Sequence, residues 1–464
     1  MKTSDLLKLT PTEQINLVLK SFPKAEINKY KEFLDPKTKV DFGTLSVSLD
    51  KEENVVFNFA EKIAEFHAGL MFGQGTGFDI IEDPKNKFED FNKYITTSKI
   101  GSSNYEMARI TFLYGISAEI FSFNKEDDKF TVTFVDPTKE EIGYNFDKGK
   151  LTLFVRKYKD DILENGEIKE VFIVEYYTQI KMQRYILEND AYVELTDEDD
   201  TWVYNKMPVD LHRCVPIWLK VETLIDRLNR TNTASAYVNN AYSFPIMLIL
   251  GDLLDFGDSQ DGLTAKKNFQ KKMQELGIAK QITIETGNLE EQSTSGDVKY
   301  LQPQVNNLLL DKENENLING IYSGTSVTNI TIETIQQIGN LSGRAIKLLF
   351  LNSIIYNNSL QSIFFHLDRR WNILKNQLDY VNNTEGTKDY QNLITKTVFN
   401  SPLPEDEKEK TEIVSMQKNN GFISVEGGQE ELGINTEVEK KRLAEDANRE
   451  NQAQIQSLSE NVVV

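Results

Sequence analysis

Residues 340–352 read NLSGRAIKLLFLN, and the interpretation of this stretch decides the fold. Ser342, Gly343 and Arg344 open a run of mostly apolar residues that predicts a long helix. A helix N-terminus with Ser, Gly and a nearby cation is a ready-made anion site, so one interpretation is the phosphate-binding loop of an enzyme. In the other, Ser342 is an N-cap, Gly343 allows close backbone approach, and Arg344 points at whatever passes the helix start.

No second motif supports phosphate binding or catalysis. The sequence has no GxxxxGK[ST] loop, and no GxGxxG follows a predicted strand. Neither of the acidic stretches 197–200 and 252–261 has both the glycine and the terminal glutamate at the spacing of a calcium loop, and they are interpreted as solvated turns. The histidines lie far apart in sequence, and no neighbouring motif supports a shared site: His67, His212 and His366. We therefore predict a protein that is not an enzyme and has no cofactor and no metal site.

Size, charge and cysteine content narrow the class of protein. With 464 residues, 39% hydrophobic and 27% charged, the chain is typical of a soluble protein with about two to four domains. No apolar run is long enough to span a membrane, and the start MKTSDLLKLTPTEQ lacks the apolar core of a signal peptide. Cys214, the one cysteine, is interpreted as a packing residue in a reducing compartment. A net charge of −20 argues against tight binding to duplex DNA but not against DNA in transit.

The first 205 residues change from helix signals to strand signals. Thr10, Pro11 and Glu13 predict a helix start with a capping box, and further helices are predicted over 54–70 and 104–114. Short β-prone runs then alternate with turns that contain Gly and Asp, which predicts an antiparallel meander. These runs are 116–123, 130–134, 151–158, 171–177 and 182–187.

Two helices of middle length are predicted to flank a small α/β unit. Apolar residues at helical spacing from Val221 predict a helix of about 25 residues that Pro245 ends. The small unit has a Lys-rich helix over 264–276 and three strands, 246–250, 281–285 and 298–301. A second helix follows, from about residue 303 to residue 322.

The last third of the chain is mostly helical by its pattern. A polar segment, 324–341, is followed by a predicted helix of about 40 residues that begins at Ser342. A strand over 393–399 comes next, and SPLPEDEKEK then opens an acidic helix that Asn419, Asn420 and Gly421 end. A final charged helix is predicted to open with a capping box of Thr436 and Glu439.

This order of segments resembles the portal proteins of tailed bacteriophages, the head-to-tail vertex proteins of the siphophage type. The resemblance covers residues from about 100 to 445 and departs from the family where Gly427 and Gly428 follow the Ser-x-Glu that usually leads directly into a helix. The segments that carry it are MARITFLYGISAEIFSF (107–123), FTVTFVDPTKEEIGY (130–144), LTLFVRKY (151–158), VPIWL (215–219) with the helix after it, YVNNAYSFPIMLILG (237–251), NLSGRAIKLLF (340–350) and VFNSPLPEDEKEKTEIVSMQKNNGFISVE (398–426).

The resemblance implies an α+β, mainly helical portal fold. Its parts are a β-containing wing, a two-helix stem, a small α/β clip, a tunnel loop with a long wing helix, and a helical crown. On this chain they correspond to the N-terminal part of the wing (1–217), stem helix 1 (218–244), the clip (245–302), stem helix 2 (303–323), the tunnel loop (324–341), the long helix and return strand of the wing (342–399) and the crown (400–464).

The resemblance also implies a function. Portal proteins form a ring, typically of twelve subunits, that is the DNA channel at one capsid vertex of the virion and assembles in the host cytoplasm. Double-stranded DNA passes through it during packaging and ejection. The implied partners are the terminase large subunit, head-completion or adaptor proteins, and the major capsid and scaffolding proteins, with no membrane. The alternatives are a head-tail adaptor or minor capsid protein without a channel, and a packaging nuclease or NTPase.

The resemblance places candidate site residues in the tunnel loop and the clip. The loop is rich in side chains that form weak, easily broken hydrogen bonds with phosphate, and Glu333 is its one charge before Arg344. The candidate DNA-facing residues are Thr328, Asn329, Thr331, Glu333, Gln336, Gln337, Asn340, Arg344 and Lys347. Lysines in the clip helix form a cationic face, interpreted either as a solvated surface or as a docking site for a partner. They are Lys266, Lys267, Lys271 and Lys272.

Overall fold

The fold is known from a computed structural model in which helical residues outnumber strand residues. The structure describes residues 2–6, 8–37, 40, 55–164, 167–188, 191–195, 201–203, 206–242, 246–250, 281–284, 297–301, 307–329, 343–364, 367–382, 389–400, 407–434 and 438–445, and single positions at 260, 264, 267, 268, 271 and 436. These residues form two compact units. The first comprises Met1–Thr328 and Ser353–Ser401, and the second comprises Asn329–Asn352 and Pro402–Val464.

The helices follow the predicted order and include several that were not predicted. They are α1 (Thr3–Leu6), α2 (Pro11–Leu19), α3 (Lys24–Leu34), α4 (Phe59–Phe72), α5 (Phe88–Thr97), α6 (Asn104–Tyr114), α7 (Glu222–Tyr242), α8 (Asn307–Thr325), α9 (Gly343–Leu349), α10 (Leu351–Gln361), α11 (Leu367–Asn382), α12 (Glu407–Asn419) and α13 (Val425–Glu431). Short 3-10 helices cover Ile100–Ser103, Leu219–Val221 and Ser362–Phe364.

The strands form four sheets in the described part of the chain. They are β1 (Thr76–Glu82), β2 (Ile116–Asn124), β3 (Lys129–Val135), β4 (Glu141–Asp147), β5 (Lys150–Glu164), β6 (Glu167–Tyr177), β7 (Lys181–Glu188), β8 (Ala191–Glu194), β9 (Thr201–Val203), β10 (Val209–Arg213), β11 (Ile246–Leu250), β12 (Gln281–Ile284), β13 (Asp297–Leu301) and β14 (Ile394–Phe399). The sheet orders are β1-β14, β10-β2-β3, β12-β11-β13 and β4-β5-β6-β7-β8, with β9 also paired to β7. The predicted antiparallel meander is confirmed, although it is divided between two sheets.

Local signals located several element ends correctly. Thr10 caps α2 with the predicted capping box, since its hydroxyl accepts from Glu13 N and Glu13 accepts from Thr10 N. α6 ends at Gly115, whose φ of 81° is in the left-handed region. A side chain there would also collide with Cys214, because a Cβ on Gly115 would lie 2.8 Å from the carbonyl oxygen of Cys214. Glycine is therefore required at this turn on both grounds.

The single helix of about 40 residues predicted from Ser342 is divided into α9, α10 and α11. The reason is clearest at the end of α10, where serine hydroxyls bond back to the preceding turn. Ser359 Oγ donates to Tyr356 O at 2.6 Å, and Ser362 Oγ donates to Ser359 O at 2.7 Å. Such bonds compete with the helical ladder, and the chain tightens here into the 3-10 turn Ser362–Phe364.

The second unit contains α9, α12 and α13. Ser424 caps α13, its Oγ accepting from Gly427 N at 3.0 Å, so the helix begins directly after the serine and includes both glycines. A Cβ on Gly428 would lie 3.1 Å from Val414 Cγ1 of α12, which explains a small residue there. Thr436 is itself helical, so the prediction that it precedes the last helix as its N-cap is wrong.

The largest core of the first unit is helical. It is formed by α4, α6, the start of α7, the end of α8 and the end of α10. Trp218 is fully buried there, stacks on Phe33 with ring centroids 4.8 Å apart, and donates Nε1–H to Leu113 O at 3.0 Å. Smaller cores lie at the three-stranded sheet β10-β2-β3, at α11, and between α2 and the six-stranded sheet.

Candidate channel segment and stem helices

Helices α7 and α8 pack against each other in the first unit. Arg227 Nη2 lies 2.8 Å from Glu313 Oε1, and Asn314 Nδ2 donates to Asn232 Oδ1 at 3.2 Å. Closer contact occurs at Gly324, where a Cβ would lie 2.8 Å from Val221 Cγ1. The helix pair is therefore joined by polar bonds along its length and by small-residue contact at one end.

Small residues allow the two helices to approach closely. Gly320 and Gly324 provide the close approach, and their GxxxG spacing was the overlooked signal. The small polar residues of α7 contact the chain's own segment 55–57 instead. Thr233 Oγ1 accepts from Val55 N at 3.1 Å, and Asn229 Oδ1 accepts from Phe57 N at 3.0 Å. These side chains are thus already used within one subunit.

The C-terminus of α8 is fixed by a buried histidine. His67 Nε2 lies 2.9 Å from Thr325 O, and burial lowers the pKa of His67 to about 4. The ring is therefore neutral near pH 7, and its Nε2 must carry the proton to donate to the carbonyl. Ser326 follows with a left-handed φ of 56°, and Val327 N donates to Tyr322 O at 3.1 Å, which closes the helix end.

The chain immediately after α8 is bonded to α10, and most of the predicted tunnel loop lies between the bonded residues. Ser353 Oγ donates to Ser326 O at 2.6 Å. Thr328 Oγ1 lies 2.7 Å from Ser353 Oγ, and because the serine's one proton is already used, Thr328 is the donor. We call this contact among Ser326, Thr328 and Ser353 the loop base. It brings together the two ends of residues 329–352 within the first unit.

The structure describes only a few of the residues that were predicted to face DNA. Thr328 is half-buried in the loop base, Asn329 is exposed, and Lys347 is exposed on α9. Arg344 is helical in α9, and its side chain lies outside the described part. Ser342, the predicted N-cap, also lies outside it, as do Thr331, Glu333, Gln336, Gln337 and Asn340.

The predicted α/β insert contains a mixed three-stranded sheet. β11 is the central strand, parallel to β12 and antiparallel to β13. Lys267 and Lys271 are helical and exposed, and their spacing of four residues puts them on one face. Lys266 and Lys272 lie outside the described residues.

The described residues offer no obvious catalytic centre. Burial raises the pKa of the Cys214 thiol to about 12, and its Sγ donates to Thr111 O at 3.2 Å, so the residue packs rather than reacts. Within the described ranges, no group of three or more His, Cys, Asp or Glu side chains could hold a metal ion. None of the described helices is long and apolar enough to cross a membrane.

Among solved structures, the similarities are distant. The neck of a native gene transfer agent particle computed with C12 symmetry is 10% identical, covers 89% of this chain and 94% of its own, and has a TM-score of 0.38. An HK97 family phage portal protein from Corynebacterium diphtheriae is 8% identical, covers 74% of this chain and 90% of its own, and has a TM-score of 0.29. At TM-scores this low, these similarities carry no inference. No curated protein matches the chain.

The family comparison is specific. The model of the family described as "Phage portal protein, SPP1 Gp6-like" matches residues 50–453, which is most of the chain. The matched range contains α7 and α8, the mixed sheet between them in sequence and the loop base. The chain therefore belongs to the SPP1 Gp6-like family of phage portal proteins.

Proposed function

We propose that this portal protein assembles into a ring, of twelve subunits as the family resemblance leads us to expect, at one vertex of the capsid. The ring is the channel through which double-stranded DNA is packaged and ejected. The observation that carries the proposal is the family match over residues 50–453. Portal proteins are structural proteins, so the chain is expected to move no phosphoryl group and cleave no nucleic acid itself.

The proposed parts of the subunit follow the sequence boundaries. Residues 1–217 and 342–399 form the wing, 218–244 and 303–323 the stem helices, 245–302 the clip, 324–341 the tunnel loop and 400–464 the crown. Support comes from the stem pair, since α7 and α8 flank the mixed sheet of the clip and pack on each other. The loop base supports the tunnel loop, because Ser326 and Thr328 near the start of the segment are bonded to Ser353 on α10, beyond its end.

The net charge of the chain supports the proposal of a channel through which DNA slides. Each phosphate that a cation neutralises adds affinity, so a channel wall rich in Lys and Arg would hold the duplex and stall transport. This chain carries 72 acidic and 52 basic residues, which gives a net charge of −20 per subunit. A predominantly acidic ring with a few cations at the loop, such as Arg344 and Lys347, repels the duplex and keeps contacts weak.

Docking partners follow from the same proposal. The clip would bind the terminase large subunit during packaging and head-completion or adaptor proteins afterwards. The wing would contact the major capsid and scaffolding proteins. The exposed pair Lys267 and Lys271 supports an acidic docking partner at the clip. Replacing Lys266, Lys267 and Lys271 by Glu is expected to reduce capture of terminase or adaptor in a pull-down, and unchanged capture would exclude this face.

Electron microscopy of the purified protein tests the ring. We expect closed rings with a central hole about as wide as duplex DNA. A solid particle without a hole would favour a head-tail adaptor or minor capsid protein instead. ATP hydrolysis by the purified protein alone would contradict the proposal and favour a packaging enzyme.

Charge reversal near the loop tests DNA passage. Arg344→Glu and Lys347→Glu are expected to lower the amount of DNA packaged while rings still form. The matched control is Lys125→Glu, an exposed lysine in the turn between β2 and β3. Normal packaging by both loop variants would show that these residues do not face the channel.

A further inference from the structure

The hairpin of β5 and β6 extends beyond the rest of its sheet. Pairing of β4 with β5 ends at Glu141 and Lys157, and pairing of β7 with β6 ends at Phe172. From residue 158 to residue 171 the two strands pair only with each other among the described strands. We call this two-stranded extension, residues 158–164 and 167–171, the arm. An isolated two-stranded hairpin is marginal in water, so such an extension calls for a partner.

On one face of the arm, called the inner face, apolar side chains pack within the subunit, and on the other face acidic side chains are exposed. Tyr158, Ile162 and Val171 lie on the inner face and pack in a small cluster with Ile173 and Ile186. The register puts Asp161, Glu170 and Ile168 together on the other face, because Asp161 is opposite Glu170 and strand residues two apart share a face. Ile168 is 75% exposed, a large value for an isoleucine on a strand.

The charges of this face are arranged for an outside cation. Two like charges directly opposite each other, Asp161 and Glu170, destabilise a strand pair. Lys159 reaches Glu170 at 2.5 Å, but this pair is exposed and offsets little of the repulsion. This face carries two acidic residues and one basic residue, Lys159, while the other charges of the arm belong to the inner face by register. A cationic surface with room for one apolar side chain would complement the arm.

A groove with this character lies at the other end of the same strands. It is a cavity of about 450 Å³ between the start of β5, the turn after β6, residues 206–209 and α11. Its floor is apolar, with Leu151, Val209 and Ile373 all buried. Its rim carries Lys150 and Lys206, both exposed, and among the described residues neither has an acidic partner within 4.0 Å.

A buried amide in this groove also lacks a partner. Asn376 is 3% exposed, and its Nδ2 donates to Asn372 O at 2.5 Å. Its Oδ1 has no hydrogen-bond donor in the part of the chain that the structure describes. A buried acceptor without a donor costs about 1–3 kcal/mol, so the groove wall holds an unmet hydrogen bond among the described residues.

One chain cannot place its arm in its own groove. Leu151 in the groove and Asp161 in the arm lie on the same strand, ten residues apart. A strand advances about 3.3 Å per residue, so they are about 33 Å apart along a paired and therefore stiff element. The arm of one copy must therefore meet the groove of another. Complementary patches at two ends of one element form a head-to-tail contact, which generates a ring when the rotation closes.

We propose that the arm of each subunit docks in the groove of its neighbour and so helps to close the portal ring. Ile168 enters the apolar floor, and Asp161 and Glu170 meet Lys150 and Lys206. This inference rests on the proposed ring and adds the surface through which subunits join. An experiment can contradict this contact without contradicting the ring.

Charge reversal and its rescue test the contact. Asp161→Lys with Glu170→Lys reverses the arm, and Lys150→Glu with Lys206→Glu reverses the groove. Each pair is expected to raise by about tenfold or more the protein concentration at which rings form, since like charges then face each other. The chain with all four changes should form rings near the wild-type concentration. Mass photometry over a dilution series measures the ring fraction, and negative-stain images identify the rings.

Two matched controls come from the turn between β2 and β3. Glu126→Lys with Asp127→Lys, and Lys125→Glu with Lys129→Glu, change the same charges at exposed positions away from the arm and groove. Both should form rings normally, and circular dichroism melts check that every variant is folded. If the wild type forms no ring, the proposed function fails. If the wild type forms rings and both reversals also do, or if the fourfold change restores nothing, the inference is wrong and the surfaces serve another partner.

Discussion

Glu119 on β2 and Glu175 on β6 are both buried glutamates bound by arginine, but their partners come from different distances along the chain. Arg156 and Arg184 bond to Glu175 from β5 and β7, and the register puts both directly beside it on the neighbouring strands. Arg370 bonds to Glu119 from α11, which is 251 residues away in sequence. One glutamate is held by its own sheet, and the other binds a distant helix to a sheet.

Glu119 and its arginine partner are both completely buried. Arg370 is fully buried, donates to Glu119, and donates a second hydrogen bond to Asn104 Oδ1 at 2.6 Å. Ser103 Oγ donates to Glu119 at 2.9 Å. Burial alone would raise the pKa of Glu119, but the charge of Arg370 and the nearby imidazole of His212 outweigh it and hold that pKa at about 2. The glutamate is ionised and depends on Arg370.

The negative charge of Glu175 is shared among several hydrogen-bond donors. Tyr177 and Tyr158 donate to it at 2.6 and 3.0 Å, in addition to the two arginines. Burial opposes ionisation here too, but bonds from Arg156 outweigh it and lower the pKa of Glu175. Arg184 is one-third exposed and can turn to water. We therefore expect the Glu175 network, which has two arginines, to tolerate the loss of one member better than Glu119, which depends on one arginine.

Removing Arg370 should therefore have the largest effect. Arg370→Met leaves Glu119 buried without its cation, and the free energy of unfolding is expected to fall by about 3–5 kcal/mol. Burial would then raise the pKa of Glu119, so the loss should shrink as the pH falls and the carboxyl takes a proton. Urea unfolding at pH 8 and pH 5 measures both effects.

An exposed pair provides the control for this change. Lys24 and Glu141 are 2.5 Å apart, but the lysine side chain is 64% exposed. Lys24→Met should cost no more than about 1 kcal/mol. If Arg370→Met cost as little as Lys24→Met, the closed pair would not hold α11 to the sheet.

Replacing Glu175 should have an intermediate effect on the free energy of unfolding. Glu175→Gln keeps an acceptor of similar shape but removes its charge, so the free energy of unfolding should fall by about 2–3 kcal/mol. Hydrogen exchange should speed up in β5, β6 and β7 and stay unchanged in α11. A loss equal to that of Arg370→Met, or faster exchange in α11, would contradict the contrast between the two centres.

Glu140, beside the Glu175 network, should give a smaller effect of opposite sign. Its pKa is raised to about 7, first by burial and then by the charge of Glu175, although Arg156 lies 3.4 Å away. The folded state therefore binds this proton more tightly than the unfolded state, and the stability it contributes at low pH is lost as the pH rises through about 7. Glu140→Gln should stabilise the fold by about 1–3 kcal/mol at pH 8 and leave it almost unchanged at pH 4.5.

Melting temperatures measured across this pH range check the sign. The difference between variant and wild type should grow with pH. A constant difference, or one that grows as the pH falls, would show that Glu140 is ionised throughout. Glu26→Gln is a suitable control because Glu26 is exposed on α3.

The sequence predicted elements that local chemistry defines. The capping box at Thr10 and the glycine at 115 are complete signals within a few residues, and both helix ends were correct. The strand Thr76–Glu82 was missed because its stabilising partner, Ile394–Phe399, lies about 300 residues away and no local pattern announces the pairing. Its exposed residues also break the apolar alternation that strand prediction uses.

Buried polar residues are a second feature that sequence patterns did not reveal. In α11 the apolar stripe at Trp371, Leu374 and Leu378 was visible, but Arg370 and Lys375 are also buried. Lys375 Nζ donates to Leu393 O at 2.6 Å, and burial lowers the pKa of Lys375 to about 8. Prediction from sequence patterns assigns charged residues such as these to the solvent-exposed face of a helix. The arm and the groove were missed for a similar reason, since their character depends on register.

The loop base has a consequence for how this protein can vary. Because Thr328 and Ser353 hold the ends of the intervening segment together, the entropy of closing that segment depends only on the logarithm of its length. Doubling its length would cost only about 0.6 kcal/mol. An insertion that leaves α9, the buried Phe350 and the start of α10 intact is thus cheap in closure entropy, and the framework on either side of the loop base does not have to change with it.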